Sequence, residues 1–398
     1  MSVSRVGVLG AGTMGRGIAQ VAALGGYATV LYDVAPELAE AGVTGLREAL
    51  AKGASRGRWS EEAAEAASGR VETATELDGL RGCELLIEAA PEKLELKRDL
   101  FAKLAEALGP EPVFATNTSS LRVTEIAEGV PGPERVVGMH FFNPPALMRL
   151  VEVVAAEHSS EQALAAATEV AERMGRTAIR AKDSPGFVAN RLARPFTLES
   201  LRILGDGVAD AATIDRVVRL GGGFRMGPFE LLDLIGLDVN LEIARSFFQQ
   251  GGEPERWRPS RIQEELVAEG RLGRKSGRGY HDYGEGQERE SDPELGIQTP
   301  TLDPEELTKI DPAAERILSR LVAQIANEAA FALEEEVASP EDMETAMRLG
   351  FNWPLGPLGF AELIGPERAA DLLERLEAEK GAAYAPAPRL RRIISSST

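Results

Sequence analysis

An apolar run, Val6 to Leu9, breaks directly into Gly10-Ala11-Gly12-Thr13-Met14-Gly15, after which Ile18, Ala19, Val21 and Ala22 recur at helical spacing. Glycines in that pattern, between a buried strand and a helix, leave the chain few options. Gly10 permits a tight turn, Gly12 lets the backbone approach a pyrophosphate, and Gly15 lets the helix pack on the strand. The helix N-terminus then offers its amides to an anion. A second apolar run, Ala28 to Tyr32, ends at Asp33, 23 positions after Gly10. A carboxylate there accepts hydrogen bonds from an adenosine ribose and repels a 2′-phosphate, so the expected cofactor is NAD rather than NADP.

The alternation continues through "ELLIEAA" (Glu84 to Ala90), "PVFATNTSS" (Pro112 to Ser120), "RVVGMHFFNPP" (Arg135 to Pro145), "LVEVVAA" (Leu150 to Ala156) and "RTAIRAKD" (Arg176 to Asp183). Helical patterns separate most of these runs, which predicts a largely parallel sheet covered on both faces. Strand signals stop after Ser184-Pro185. Residues from about 186 to 280 read as helices with Gly-Pro punctuation, and the stretch Gly284 to Glu306 has the composition of a linker. The last helical segment repeats the earlier one. An offset of 129 carries Arg191-Leu192 to Arg320-Leu321, Glu199 to Glu328, Gly227-Pro228 to Gly356-Pro357 and Leu234-Ile235-Gly236 to Leu363-Ile364-Gly365, without a gap. Self-similarity at a fixed offset marks duplication. The fold expected is therefore α/β, a Rossmann-type N-terminal domain (1–184) followed by two repeated all-α domains (185–284 and 309–398) joined by a linker (285–308).

A formal charge of −19 argues against nucleic acid or an anionic membrane as partner, so an anionic ligand needs a local basic pocket. With no basic leader and no membrane-length apolar run, the expected location is the cytoplasm. The lone Cys83 reads as a buried, inert thiol, and no metal is expected.

Three histidines are present. His158, at a polar helix start, and His281, beside the linker, read as solvated. His140 instead ends an apolar strand. Glu152 lies inside another apolar strand, where an unpaired charge is costly. If the chain reverses through Asn143 to Met148 into an antiparallel strand, with Phe142 opposite Leu150, His140 falls opposite Glu152. Such a pair at the carboxyl edge of a nucleotide-binding sheet would orient and stabilise a general base. "NTSS", Asn117 to Ser120, lies at the same edge. One of Ser119 and Ser120 is expected to cap the following helix, leaving the other to face a ligand. Asn190 opens the helical region.

The spacing of Ser119, His140, Glu152 and Asn190, together with "GAGTMGRGIAQVAA", "HFFNPP", "DSPGFVANRL", "GPFELLDLIGLD" and "GRKSGRGYHDY", resembles the L-3-hydroxyacyl-CoA dehydrogenase family from Arg5 to about Tyr283. The resemblance implies NAD-linked oxidation of an (S)-3-hydroxyacyl-CoA to the 3-oxoacyl-CoA. It makes His140 the general base and Glu152 its orienting partner, with Ser119 and Asn190 hydrogen-bonding the reacting oxygens. By the same carry-over Gly10, Gly12, Thr13, Met14, Gly15, Asp33, Glu92, Lys97, Asn117, Asn143 and Lys275 contact the cofactor. The acid-free cluster Lys52, Arg56 and Arg58 is the candidate for the coenzyme A phosphates, beside Ser119 as a substrate contact. Short family members end near the position of Tyr283 and dimerise through the helical domain. The second copy, which has Ser319 at the position of Asn190, is expected to be structural. Two assemblies stay open, a homodimer and a monomer whose copies form an internal pseudo-dimer. Two rival functions also stay open, a dehydrogenase of a free hydroxyacid or sugar acid and a non-catalytic, crystallin-like protein.

Overall fold

The computed structural model describes residues 3–284 and 292–394, which divide between Phe187 and Val188 into two compact units. The first unit alternates strands and helices. Its order is β1 (Arg5–Leu9), α1 (Thr13–Leu24), β2 (Ala28–Tyr32), α2 (Pro36–Ser55), α3 (Glu61–Ser68), β3 (Val71–Ala74) and β4 (Leu85–Glu88). It continues through α4 (Leu94–Leu108), β5 (Val113–Thr116), α5 (Val123–Ala127), β6 (Val136–Phe141), β7 (Leu150–Ala155), α6 (Glu161–Arg173) and β8 (Thr177–Lys182).

The eight strands make one sheet in the order β3-β2-β1-β4-β5-β6-β7-β8. All neighbours pair in parallel except β6 and β7. Because strand side chains alternate, Val6, Val8, Leu85, Ile87, Val137 and Met139 enter one core. There they meet Ile18, Leu46 and Leu164 from the helices. On the opposite face Phe114 stacks on Phe101 of α4 at 5.6 Å. With both faces covered, the inner strands β4, β5 and β6 are buried along their whole length. Cys83 is buried, and that burial pushes its thiol up, away from the reactive thiolate.

The short helix α5 departs from expectation. Neither serine caps it. Its first amides, Val123 N–H and Thr124 N–H, donate to the Asp183 carboxylate at 3.0 and 2.8 Å. An acid just past β8 thus neutralises a helix start 60 residues earlier.

The second unit comprises α7 (Ala189–Leu192), α8 (Arg194–Gly205), α9 (Ala211–Leu220), α10 (Pro228–Ile235), α11 (Leu237–Gln250) and α12 (Arg261–Ala268). After these come α13 (Pro304–Thr308), α14 (Ala314–Glu334), α15 (Pro340–Gly350), α16 (Pro357–Ile364) and α17 (Pro366–Lys380). The offset of 129 that relates the two halves in sequence also superposes their elements: α10 maps onto α16 end for end, α9 onto α15 and α11 onto α17. Capping repeats with it. Asp215 accepts from Phe229 N–H and Glu230 N–H at the start of α10, and Glu344 accepts from Leu358 N–H and Gly359 N–H at the start of α16.

The halves pack on each other about a local two-fold, as two ion-pair clusters show. Arg191 meets Glu328 at 2.8 Å and Glu335 at 2.7 Å, while Arg320 meets Glu199 and Asp206, each at 2.7 Å. Every one of these residues maps onto its counterpart by the same offset. Phe224 likewise meets its own counterpart, Trp353, edge-on at 5.4 Å. The stretch read as a linker is largely structured where it is described: Asp292 binds Arg219 at 2.7 Å, Leu302 and Leu307 are buried, and α13 forms. Its first part, 285–291, lies outside the described residues.

His281 also corrects its reading as a solvated residue. Its Nε2 lies 2.7 Å from the buried Asp215, and its backbone N–H donates to Asp233. The hydrogen bond to Asp215 raises the imidazole above its ordinary value, reinforced by the charges of Asp215, Asp233 and Glu230 against the cost of burial. A raised histidine contributes stability that is complete below about pH 6.5 and is lost as pH rises through the elevated value. The melting temperature of the protein is therefore expected to fall as pH rises from near 6.5. His281→Gln should flatten that slope, and an unchanged slope in the variant would remove His281 from the account.

Candidate active site

The carboxyl ends of β1, β4, β5 and β6 gather the residues singled out in the sequence. At β1, Gly10 has φ +100°, open to glycine but strained for other residues, and a Cβ at Gly15 would lie 1.8 Å from Gly10 O. The turn and the close approach of α1 thus both require glycine. A Cβ at Gly12 would point into open space, and no side chain caps α1. Its first amides therefore face a clear anion cradle. Asp33 stands beside that cradle, accepting from Ala11 N–H at 2.9 Å and Ala35 N–H at 3.3 Å. These donors hold the carboxylate in place.

At β4 the chain ends in a buried acid, Glu88, which accepts from Lys97 Nζ at 2.7 Å, Thr116 Oγ1 at 2.7 Å and Ala90 N–H at 2.6 Å. Lys97, only 1% exposed, also reaches Glu92 at 3.2 Å. Glu92 in turn accepts from Thr118 Oγ1, Ser119 N–H, Ser120 N–H and Ser120 Oγ at 2.6–3.1 Å. Burial alone would push the Glu92 carboxyl up. The Lys97 ammonium and the hydrogen bonds from Thr118 and Ser119 outweigh it and hold the group below its ordinary value. Lys97 therefore acts on the site from below, through Glu92, and Glu92 splints the loop that presents Ser119. Ser119 is exposed. Asn117 joins neighbouring strands, its N–H donating to Glu88 O and its Oδ1 accepting from Phe141 N–H at 2.8 Å.

At β6 the antiparallel register is the one expected, with His140 opposite Glu152. His140 Nδ1 lies 2.6 Å from Glu152 Oε2, and Glu152 is fully buried. A buried carboxylate so close fixes Nδ1–H as the donor and leaves Nε2 as the basic nitrogen. Phe142 and Phe187 flank the imidazole, their ring centroids 4.6 and 5.8 Å away. Sequence reading missed Phe187, which sits at φ +51°, a strained conformation for a bulky residue and a mark of functional sites. Asn143 is exposed in the turn after β6.

The remaining sequence candidates are carried by other elements. Lys52, Arg56 and Arg58 are exposed around the end of α2. In the second unit, Asn190 is on α7 and Lys275 pairs with Asp238 at 2.5 Å. Ser319, at the position that answers to Asn190 in the second copy, bonds Glu315.

A family model described as the 3-hydroxyacyl-CoA dehydrogenase NAD-binding domain matches residues 5–184, and one described as the C-terminal domain of the same enzymes matches 186–283 and 317–397. The chain belongs to the 3-hydroxyacyl-CoA dehydrogenase family. It is similar to the 3-hydroxyadipyl-CoA dehydrogenase of Escherichia coli K12, 35% identical over 98% of this chain and 97% of that one. It is also similar to the 3-hydroxybutyryl-CoA dehydrogenase of Bradyrhizobium diazoefficiens, 39% identical over 71% of this chain and 96% of that one. Among solved structures, that of a 3-hydroxybutyryl-CoA dehydrogenase from Escherichia coli K12 shares a TM-score of 0.89 and 35% identity, covering 98% of each chain.

As a 3-hydroxyacyl-CoA dehydrogenase the chain is an NAD-dependent oxidoreductase acting on hydroxyacyl-CoA, which sets aside the free-acid and crystallin-like readings. The glycine cradle, the uncapped α1 amides and Asp33 fit the dinucleotide. Among the described residues no helix is long and apolar enough to cross a membrane.

Proposed function

We propose that the chain oxidises (S)-3-hydroxyacyl-CoA thioesters with His140 as general base, and the 2.6 Å contact between His140 and Glu152 carries this reading. NAD supplies the hydride acceptor. The rest falls to the side chains. His140 Nε2 removes the hydroxyl proton as hydride leaves C3, and Glu152 orients the ring and stabilises the imidazolium. Ser119 and Asn190 hydrogen-bond the reacting oxygens. Phe142 and Phe187 keep water from the imidazole, which strengthens its coupling to Glu152. Gly10 to Gly15, Asp33, Glu92, Asn117, Asn143 and Lys275 serve the cofactor, and Lys52, Arg56 and Arg58 the coenzyme A phosphates. The E. coli relative that matches from end to end bears the name of an enzyme for a carboxylate-ended acyl group, and that class of substrate is the one we favour here.

The test is reduction of acetoacetyl-CoA and of 3-oxoadipyl-CoA with NADH and with NADPH. Turnover with NADH and at least about a hundredfold loss in efficiency with NADPH are expected, since the Asp33 carboxylate both binds the ribose and opposes a 2′-phosphate. Comparable efficiency with the two nucleotides would overturn the role of Asp33. Absence of turnover with either thioester would overturn the function.

The helical unit supports a further reading, that residues 185–284 and 309–398 are one domain twice over, the second copy standing where a partner subunit would. The paired clusters around Arg191 and Arg320 have the reciprocity of an isologous interface. A monomer with an internal pseudo-dimer follows.

A further inference from the structure

Arg194 opens α8 and is 8% exposed, yet neither its Nε nor its Nη1 has a hydrogen-bond partner among the described residues. Its guanidinium lies over the Phe247 ring at 5.0 Å. The other buried arginines of the same unit, Arg191 and Arg320, each meet two carboxylates. Among the described residues no acid answers Arg194, and burial by itself pushes its guanidinium down to about 10. In a chain with 63 acidic and 44 basic residues, a buried arginine without an acid is not explained by a shortage of acids. Burying a cation without an acid costs stability, and the face of the Phe247 ring offsets only part of that cost. An anionic ligand would offset the rest.

The position of Arg194 suggests which anion. It stands four residues after Asn190, and the helical hydrogen bonds from Leu192 N–H to Val188 O and Ala193 N–H to Ala189 O carry the turn of α7 into α8. Residues four apart share a face about 6 Å apart along the axis. Helical side chains also lean toward the N-terminus, which brings Arg194 toward the turn that holds Asn190. With the 3-oxygen held by Asn190, an acyl chain along this face comes within reach of the guanidinium after three carbon–carbon bonds, roughly 4 Å at ~1.5 Å each. A methyl-ended chain leaves the cation unpaired. A carboxylate at that end satisfies it through a charge-assisted, two-pronged hydrogen bond.

We propose that Arg194 binds the terminal carboxylate of a dicarboxylic 3-hydroxyacyl-CoA and selects such chains over methyl-ended ones. The proposal rests on the thioester reading above and on Asn190 contacting the substrate. It is tested by kcat/KM for 3-oxoadipyl-CoA and acetoacetyl-CoA in the wild type, Arg194→Met and Arg194→Lys, with thermal melts of all three. The wild type is expected to prefer 3-oxoadipyl-CoA. Arg194→Met should lower the ratio of the two efficiencies about a hundredfold, the scale of a hydrogen-bonded charge left without its partner. Arg194→Lys should restore part of it. The melting temperature of Arg194→Met should hold or rise, because an unpaired buried charge is removed. A ratio unchanged in Arg194→Met, or a parallel loss with both substrates at a lowered melting temperature, would overturn the proposal. A wild type inactive on both thioesters would instead defeat the underlying reading.

Discussion

Replacing His140 with glutamine is expected to cut turnover of a 3-oxoacyl-CoA by about 10²–10⁴, the typical contribution of a positioned general acid or base. NADH affinity should change little, because His140 itself is assigned no contact with the dinucleotide, whose pyrophosphate and adenosine ribose are assigned to the glycine cradle and Asp33, across β4 and β5 from His140. Glu152→Gln retains a hydrogen-bonding side chain but removes the charge opposite Nδ1, so a smaller loss is expected, confined to kcat. Stopped-flow single-turnover rates and fluorescence titration with NADH separate the two effects. Near-normal turnover in His140→Gln would mean that another group takes the proton.

The second large effect concerns the paired halves of the helical unit. Arg320→Met leaves the fully buried Glu199 with Arg202 alone and Asp206 with Lys380 alone, and is expected to cost about 1.5–3 kcal/mol, the scale of a lost hydrogen bond to a charged group. Arg191→Met should cost a similar amount, since Glu328 and Glu335 then keep only Arg256 as a cation. Removing both partners, as in Arg320→Met with Glu199→Leu, should recover much of the loss. Removing the second copy altogether, by deleting residues 300–398, exposes Arg191 and the apolar face of α8, and should yield aggregation or a new dimer. Chemical denaturation and light scattering read these outcomes. A truncated protein that stays monomeric and equally stable would show that the second copy does not take the place of a partner.

Local chemistry explains what was legible. The glycine turn, the strand that ends at Asp33 and the register of His140 against Glu152 follow from residues near one another along the chain, where turn geometry and the two-residue period of strands leave one solution. The duplication was legible for a different reason: an ungapped offset survives in the sequence whatever the packing. The serine cap failed because the Asp183 carboxylate, brought in by a distant strand, holds the helix amides more strongly than a neighbouring hydroxyl. His281 failed in the same way, its partner Asp215 lying 66 residues earlier.

Legible in the chain alone were the order of elements, the nucleotide cradle, the family and the pairing of His140 with Glu152. The tertiary structure alone sets how charge is distributed among them: that Lys97 lies buried and pairs with Glu92, that Arg191 and Arg320 are neutralised from the opposite copy, and that Arg194 meets no acid among the described residues. The physical reason is range. Strand and helix periods are set by neighbours a few residues apart, whereas the energy of a buried charge depends on which groups the fold brings within about 4 Å of it, and those can come from anywhere in the chain.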